Sequence, residues 1–377
     1  MGPLADIKVI ELAGIGPGPM CGMLLADLGA TVLRIDREQP VELGNPRPLK
    51  FDLLLRNRKS IALDLKEPMA VELVLDLVSQ ADALIESYRP GVAERLGLGP
   101  AQCIERNPRL VYGRITGFGQ DGPLAKVAAH EINNIALTGA LYAIGRKGSP
   151  PTAPLNLLGD YAGGALYLAI GILSAVLEAR ASGEGQVVDA SIVDGTLSQM
   201  TSFFGRYAGD MISLERGANS HDSGAYYYDV YECADGRWVS VAPIEKRFRD
   251  EFFRLMGFSD AEIGNPYAKQ NDLRLRTLLS ERFKTRSAAE WCDLLENTDA
   301  CFAPVLTLAE APEHVHLRAR GTFVEIDGIV QPAPAPRFSR TVPDKPHPPQ
   351  PPNATQALKG WKTQCQIEQL KELGVVK

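Results

Sequence analysis

Hydrophobic and polar positions fall into alternating strand and helix periods along the first third of the chain. Residues 7 to 11 (Ile-Lys-Val-Ile-Glu) form a short apolar strand, followed by the turn Gly14-Ile15-Gly16-Pro17-Gly18-Pro19 and a helical run from Met20 to Gly29. A second strand, Thr31 to Ile35, ends at Asp36. Strand, turn, helix, strand predicts a βαβ unit and hence a parallel sheet. The pattern recurs with a helix over Met69–Gln80, a strand over Asp82–Ile85, helices around Ala93 and Ala101, and a strand over Leu110–Ile115. In the middle, the apolar run Ala165 to Leu177 predicts a buried helix reaching Arg180. A strand near Val187–Ile192 and a helix from Gly195 follow.

The texture then changes. Residues 225–242 place aromatic and β-branched strands around Ala234-Asp235-Gly236, a β-hairpin pattern. Helical periodicity covers Arg247–Met256, Asp272–Lys284 and Ala288–Glu296, so residues from about 222 to about 320 read as a smaller second domain. Residues 331–352 are dense in proline, which excludes helix and central strand and predicts an extended strap. A last amphipathic helix is expected over Ala354–Leu373.

The totals bound the partners. The 377 residues are 45% hydrophobic and 23% charged, a globular composition long enough for two full cores. A net charge of -6 argues against a nucleic-acid binder. No apolar run reaches the ~18 residues of a membrane span, and the N-terminus lacks the pattern of an export signal. Cys21, Cys103, Cys233, Cys292, Cys301 and Cys365 lack metal-ligand spacing, which predicts reduced thiols and no metal site. The expected location is cytoplasmic.

The N-terminal strand, glycine turn and helix invite a dinucleotide-binding assignment. In register it fails: G-x-G-x-x-G from Gly14 needs glycine where Pro19 stands, and Pro17 and Pro19 remove N–H donors from the turn. The run Arg34–Lys66 is more informative. Eight cations (Arg34, Arg37, Arg47, Lys50, Arg56, Arg58, Lys59, Lys66) stand against five acids (Asp36, Glu38, Glu42, Asp52, Asp64). Tyr88-Arg89-Pro90-Gly91 and Arg95 add cations after the third strand predicted above. Ligands of open α/β sheets bind beyond the carboxyl ends of strands, where Arg37 and Arg89 should lie, so a polyphosphate ligand fits. His130, one of only five histidines, and Asp160, where a helix should start, suggest acid/base chemistry. An aspartate there is equally a helix N-cap.

The motifs ELAGIGPGP, LLRNRKS, TGFGQDGP, PLNLLGD, the YECADGR hairpin and PAPRFSRT, with the stretches between them, resemble the alpha-methylacyl-CoA racemases of the family III CoA-transferase superfamily. The resemblance runs from about Ile7 to Thr341. It implies a large Rossmann-like α/β domain completed by the C-terminal return (residues 1–200 and 325–377, CoA-binding). A smaller α+β domain (222–320) is joined to it by straps (201–221 and 321–352). Two such chains are expected to form an interlocked homodimer with shared active sites. The implied activity is an isomerase of fatty acid metabolism: a racemase or epimerase interconverting 2R and 2S 2-methylacyl-CoA, or related 2-substituted acyl-CoA, thioesters through an enolate. The alternatives are a CoA-transferase with Asp160 as nucleophile, which the histidine disfavours, and a non-catalytic CoA-ester binding protein.

Carried over residue by residue, the resemblance assigns His130, Asp160 and Glu245 to catalysis, with Glu245 holding the imidazole. It assigns Arg37, Leu63, Asp64, Leu65, Lys66, Ser87, Tyr88, Arg89 and Arg95 to CoA, and Ala129, Glu131, Ile132, Asn133 and Asn134 to the substrate. No cofactor is implied, because CoA is part of the substrate. Chemistry adds two expectations. Asp160 needs partial burial to raise its pKa if it is to carry a proton. The start of its helix, with Gly163 and Gly164, should offer N–H groups to the enolate oxygen, a contact typically worth ~3–4 kcal/mol. The chain departs from the family around the acyl group: the usual G-H-D-I-N-Y is Ala129-His130-Glu131-Ile132-Asn133-Asn134, Ser220–Tyr228 replaces M-L-D-G-G-A-P-Y-Y, and Lys246-Arg247 follow Glu245. A bulkier, more polar or aryl-bearing acyl chain is therefore open, as is a polar contact from His221.

Overall fold

Six strands of the first half pair in parallel in the order β3-β2-β1-β4-β5-β6. They are β1 (Lys8–Leu12), β2 (Thr31–Arg37), β3 (Lys59–Leu63), β4 (Ala83–Glu86), β5 (Val111–Thr116) and β6 (Val187–Ser191). The structure, a computed structural model, describes residues 2–39 and 44–376. Glu42 of the basic run lies outside them. The central strands β1 and β4 are almost continuously buried because both sheet faces are covered, and the charged residues they carry, such as Glu11 and Glu86, are buried with them. One face packs on helices Pro68–Val78 and Pro100–Arg106 and on the C-terminal residues Ala354–Val376. The other packs on helices Pro17–Asp27 and Leu166–Ser182. Strand order reverses between β1 and β4, so their carboxyl ends frame the crevice where such sheets bind ligands.

The chain divides into two compact units. Unit 1 is Met1–Thr138, Leu155–Met200 and Arg320–Lys377, and unit 2 is Gly139–Pro154 and Thr201–Ala319. Residues 139–154, placed by sequence in the large domain, thus cluster with unit 2. Residues 201–208 of the expected strap form the helix Thr201–Ala208. In unit 2, β7 (Asp229–Glu232) and β8 (Trp238–Val241) form the expected hairpin, and β9 (Phe302–Pro304) adds a third antiparallel strand. Helices carrying Phe252, Phe283 and Trp291 close its core.

Part of the second strap is also structured: β10 (Phe323–Ile326) and β11 (Ile329–Pro332) form an antiparallel hairpin. The Arg56 guanidinium donates to Gln331 Oε1 (2.9 Å) and the Pro332 carbonyl (2.8 Å). The proline-rich segment beyond runs along the edge of β3. Asn57 N–H donates to the His347 carbonyl (3.1 Å) and Asn353 N–H to the Ser60 carbonyl (2.9 Å). A segment without regular structure thereby covers a sheet edge. The single helix expected over Ala354–Leu373 is two, Ala354–Ala357 and Gln364–Glu372, interrupted at Gly360, whose φ is +93°.

The basic run is corrected most. Arg34 and Arg58 are buried against Glu11 of β1, with Arg58 Nη1 3.1 Å from Glu11 Oε2, and Arg56 is buried against Asp27. These three arginines hold unit 1 together rather than meeting a phosphate. Removing one partner of such a pair strands an uncompensated charge in the interior. Arg47 and Lys50 lie 3.4 Å from Asp52 and 3.6 Å from Asp327, which leaves Arg37 as the cation of the run that lines the crevice.

Helix Leu166–Ser182 continues without a break from a π-helical stretch, Leu157–Ala165. The combined 26 residues are long and apolar enough to cross a membrane, which corrects the shorter run read from the sequence. Leu168, Ile172, Ala175, Val176 and Ala179 are nevertheless buried in the core of unit 1.

Candidate active site

A cleft of about 630 Å³ opens at the carboxyl ends of β1, β2, β4 and β5, entirely within unit 1. His130 and Asp160 both line it. His130 is exposed and immediately precedes the short helix Glu131–Ala136. Its backbone N–H donates to Asn133 Oδ1 (3.1 Å), part of a capping box that fixes the chain direction at the histidine.

Asp160 is not the N-cap that its position suggested. It is the fourth residue of the π-helical stretch, whose N-cap is Asn156. Widened helical turns of this kind gather at functional sites. The carboxyl of Asp160 is pushed above the usual aspartate range by loss of solvent, while the Asn156 side chain and the charge of His130 favour its ionised form. On the other side stands Gly16, with φ +68°; a Cβ there would lie 3.3 Å from Asp160 Oδ2. The glycine turn that mimicked a dinucleotide motif thus lets the backbone approach this carboxylate.

Glu131 is buried beneath Asp160 and does not line the cleft. Its Oε1 accepts from Gly159 N–H (2.9 Å) and its Oε2 from Asp160 N–H (3.3 Å), tying the histidine's helix to the aspartate's turn. Burial raises its pKa, and those backbone donors oppose the rise. Gly159 makes the approach possible, since a Cβ there would meet Glu131 Cγ at 2.8 Å.

The expected donors at Gly163 and Gly164 are not available. Both sit inside the π-helical stretch, where each N–H is taken by the carbonyl five residues back. Both are buried, Gly163 against Thr196 and Gly164 against Pro17 and Ile192.

Of the predicted CoA contacts, Arg37, Ser87, Tyr88 and Arg89 line the cleft, as do Ala129, Asn133 and Asn134 of the substrate set. The Arg37 guanidinium lies 5.4 Å from the centre of the buried Tyr88 ring. Leu63, Asp64, Leu65 and Lys66 do not line it. Leu63 ends β3, the edge strand beyond β2, and the other three follow it; Leu63 and Leu65 are buried in the core. Arg95 and Ile132 are also outside its lining. Glu245 belongs to unit 2, where it is exposed at the start of helix Lys246–Leu255 and its charge acts on the Cys301 thiol. His221, also in unit 2, lies 2.8 Å (Nδ1) from Ser220 Oγ. The sequence assignment missed Asn156 and Thr116-Gly117-Phe118, although the PLNLLGD and TGFGQDGP motifs contain them. Among the described residues, no group of three or more His, Cys, Asp or Glu is placed to hold a metal ion.

The arrangement offers a proton acceptor and a proton donor on one cleft, beneath cationic side chains at strand ends. Comparison with known proteins points the same way. The model of the family described as CoA-transferase family III matches residues 4–355. The chain is 40% identical over 340 residues to alpha-methylacyl-CoA racemase of Mus musculus, covering 90% of this chain and 87% of that protein. The Homo sapiens alpha-methylacyl-CoA racemase is likewise 40% identical, over 344 residues, with the same coverage. A crystal structure of a CaiB/BaiF family protein from Brucella suis superposes with a TM-score of 0.81 at 25% identity, over 96% of this chain and 99% of that one.

Proposed function

The chain belongs to CoA-transferase family III, and we propose that it is an isomerase that interconverts the 2R and 2S forms of 2-methylacyl-CoA thioesters. The observation that carries this reading is the convergence of His130 and Asp160 on one cleft, with the Asp160 carboxyl pKa raised by burial. One of the two takes the C2 proton, and the electron pair left behind spreads onto the thioester oxygen. The other returns a proton to C2 from the opposite face, inverting the carbon. Histidine exchanges protons at neutral pH, and a raised carboxyl pKa brings aspartate towards the same range. Protons alone are moved, so the reaction calls for no cofactor beyond the CoA that the substrate carries. Chiral separation of 2-methylacyl-CoA after incubation, with a free carboxylate present, tests the reading. Racemisation is expected; transfer of CoA to the carboxylate without it would contradict the proposal.

Arg37 and Arg89 are assigned to the CoA phosphates. Arg37→Ala is expected to weaken acyl-CoA binding about tenfold, the size of a lost charged hydrogen bond, with a smaller effect on turnover. Titration calorimetry checks this, and a turnover defect with intact affinity would remove Arg37 from that role.

The active form is inferred to be a homodimer, with Glu245 orienting the His130 ring from the second protomer. Leu166, Ile170 and Leu177 support a partner surface, since they leave one face of their helix apolar and exposed. Sedimentation should show a dimer, and a fully active monomer would contradict it.

A further inference from the structure

The floor of the cleft holds polar atoms that nothing in the described chain satisfies. Asn134 is 1% exposed and lines the cleft, and its Oδ1 is buried without a hydrogen-bond partner. Ser87 Oγ, just past β4, and Thr116 Oγ1, at the end of β5, line the same cleft and are likewise buried and unpartnered. Buried polar groups are nearly always paired, because leaving one unpaired costs its full desolvation. Such a floor is poorly matched to a plain alkyl chain.

The loop after β5 makes room for the amide. A Cβ on Gly117 would come within 2.6 Å of Asn134 Oδ1, so only glycine leaves the Asn134 side chain its position. Asn134 follows His130 by four residues in the helix that starts directly after the histidine. Four residues rise about 6 Å, so the amide sits roughly one turn from the proton-transfer site.

We propose that Asn134 is a specificity-determining residue whose side-chain amide pairs with a hydroxyl on the acyl chain, about one helical turn (~6 Å) from the reacting carbon. The preferred substrates are then hydroxyl-bearing 2-methylacyl-CoA thioesters. This rests on the racemase reading above. A hydroxyl donates to the amide oxygen, whereas an alkyl chain of equal length leaves that oxygen unpaired in a site from which it also excludes water. A pocket built to hydrogen-bond a substrate hydroxyl discriminates strongly against the analogue that lacks it.

The test compares racemisation of 6-hydroxy-2-methylhexanoyl-CoA and 2-methylheptanoyl-CoA, which differ by a terminal hydroxyl against a methyl group. The native protein is expected to favour the hydroxylated thioester by about tenfold or more in kcat/KM. Asn134→Leu should erase or reverse that ratio, and the smaller Asn134→Ala should erase it should the leucine variant not fold. Equal kcat/KM values in the native protein, or a preference that survives both substitutions, would overturn the proposal. Racemisation of neither thioester would instead overturn the racemase reading, and this inference with it.

Discussion

His130→Ala is expected to lower the racemisation rate by about 10²–10⁴-fold, the usual contribution of a positioned general acid or base. Acyl-CoA affinity should stay within about twofold, because the cations assigned to CoA lie on β2 and after β4 rather than on the histidine's helix. The fold should tolerate the change: the ring is exposed, and the bond from His130 N–H to Asn133 Oδ1 is a backbone bond that alanine retains. Chiral separation of the thioester and titration calorimetry on one preparation check both halves. A fully active variant would remove His130 from the chemistry, and one that loses affinity in proportion to rate would make it a binding residue.

Asp160→Asn should produce a loss of the same order, since asparagine keeps the shape but carries no exchangeable acid proton. Its effect on stability should have the opposite sign. Burial raises the folded-state pKa of Asp160 above its unfolded value, so the fold disfavours the ionised form. That penalty is absent below the unfolded pKa of ~3.9, sets in as pH rises from there through the folded pKa, and persists at neutrality. The variant should therefore melt above the native protein at pH 7, with the gap closing towards pH ~4 and below. Thermal melts across this range check the sign. A variant that is inactive and also less stable at pH 7 would mean that Asp160 is held as a structural carboxylate.

Much of the site was legible because it sits at the ends of periodic elements. The βαβ pattern fixes where strands end, and charge alone brings out Arg37 and Arg89 there. The order and spacing of whole motifs, rather than any single residue, single out His130 and Asp160. Other features depend on partners distant in sequence. Arg34, Arg56 and Arg58 read as a solvated basic run because one dimension does not show that Glu11 and Asp27 meet them in the core. Strand β3, Lys59-Ser60-Ile61-Ala62-Leu63, was hidden inside that run, since its edge position lets it carry polar residues while β2 and the proline-rich return supply its neighbours. The π-helical widening around Asp160 has the composition of an ordinary helix. The Glu131 carboxylate, 29 residues before Asp160, accepts from the backbone N–H groups of Gly159 and Asp160 near the start of that stretch. The loss of Gly163 and Gly164 as donors follows from the stretch starting after Asn156 rather than at Asp160.

The central claim is that two groups on opposite faces of C2 move its proton. It is tested most directly by incubating one pure enantiomer of a 2-methylacyl-CoA with the native protein in D₂O and following C2 by NMR together with chiral separation. The opposite enantiomer should appear with deuterium at C2 and the thioester intact. Inverted product that retains its original C2 protium, or movement of CoA without exchange at C2, would contradict it.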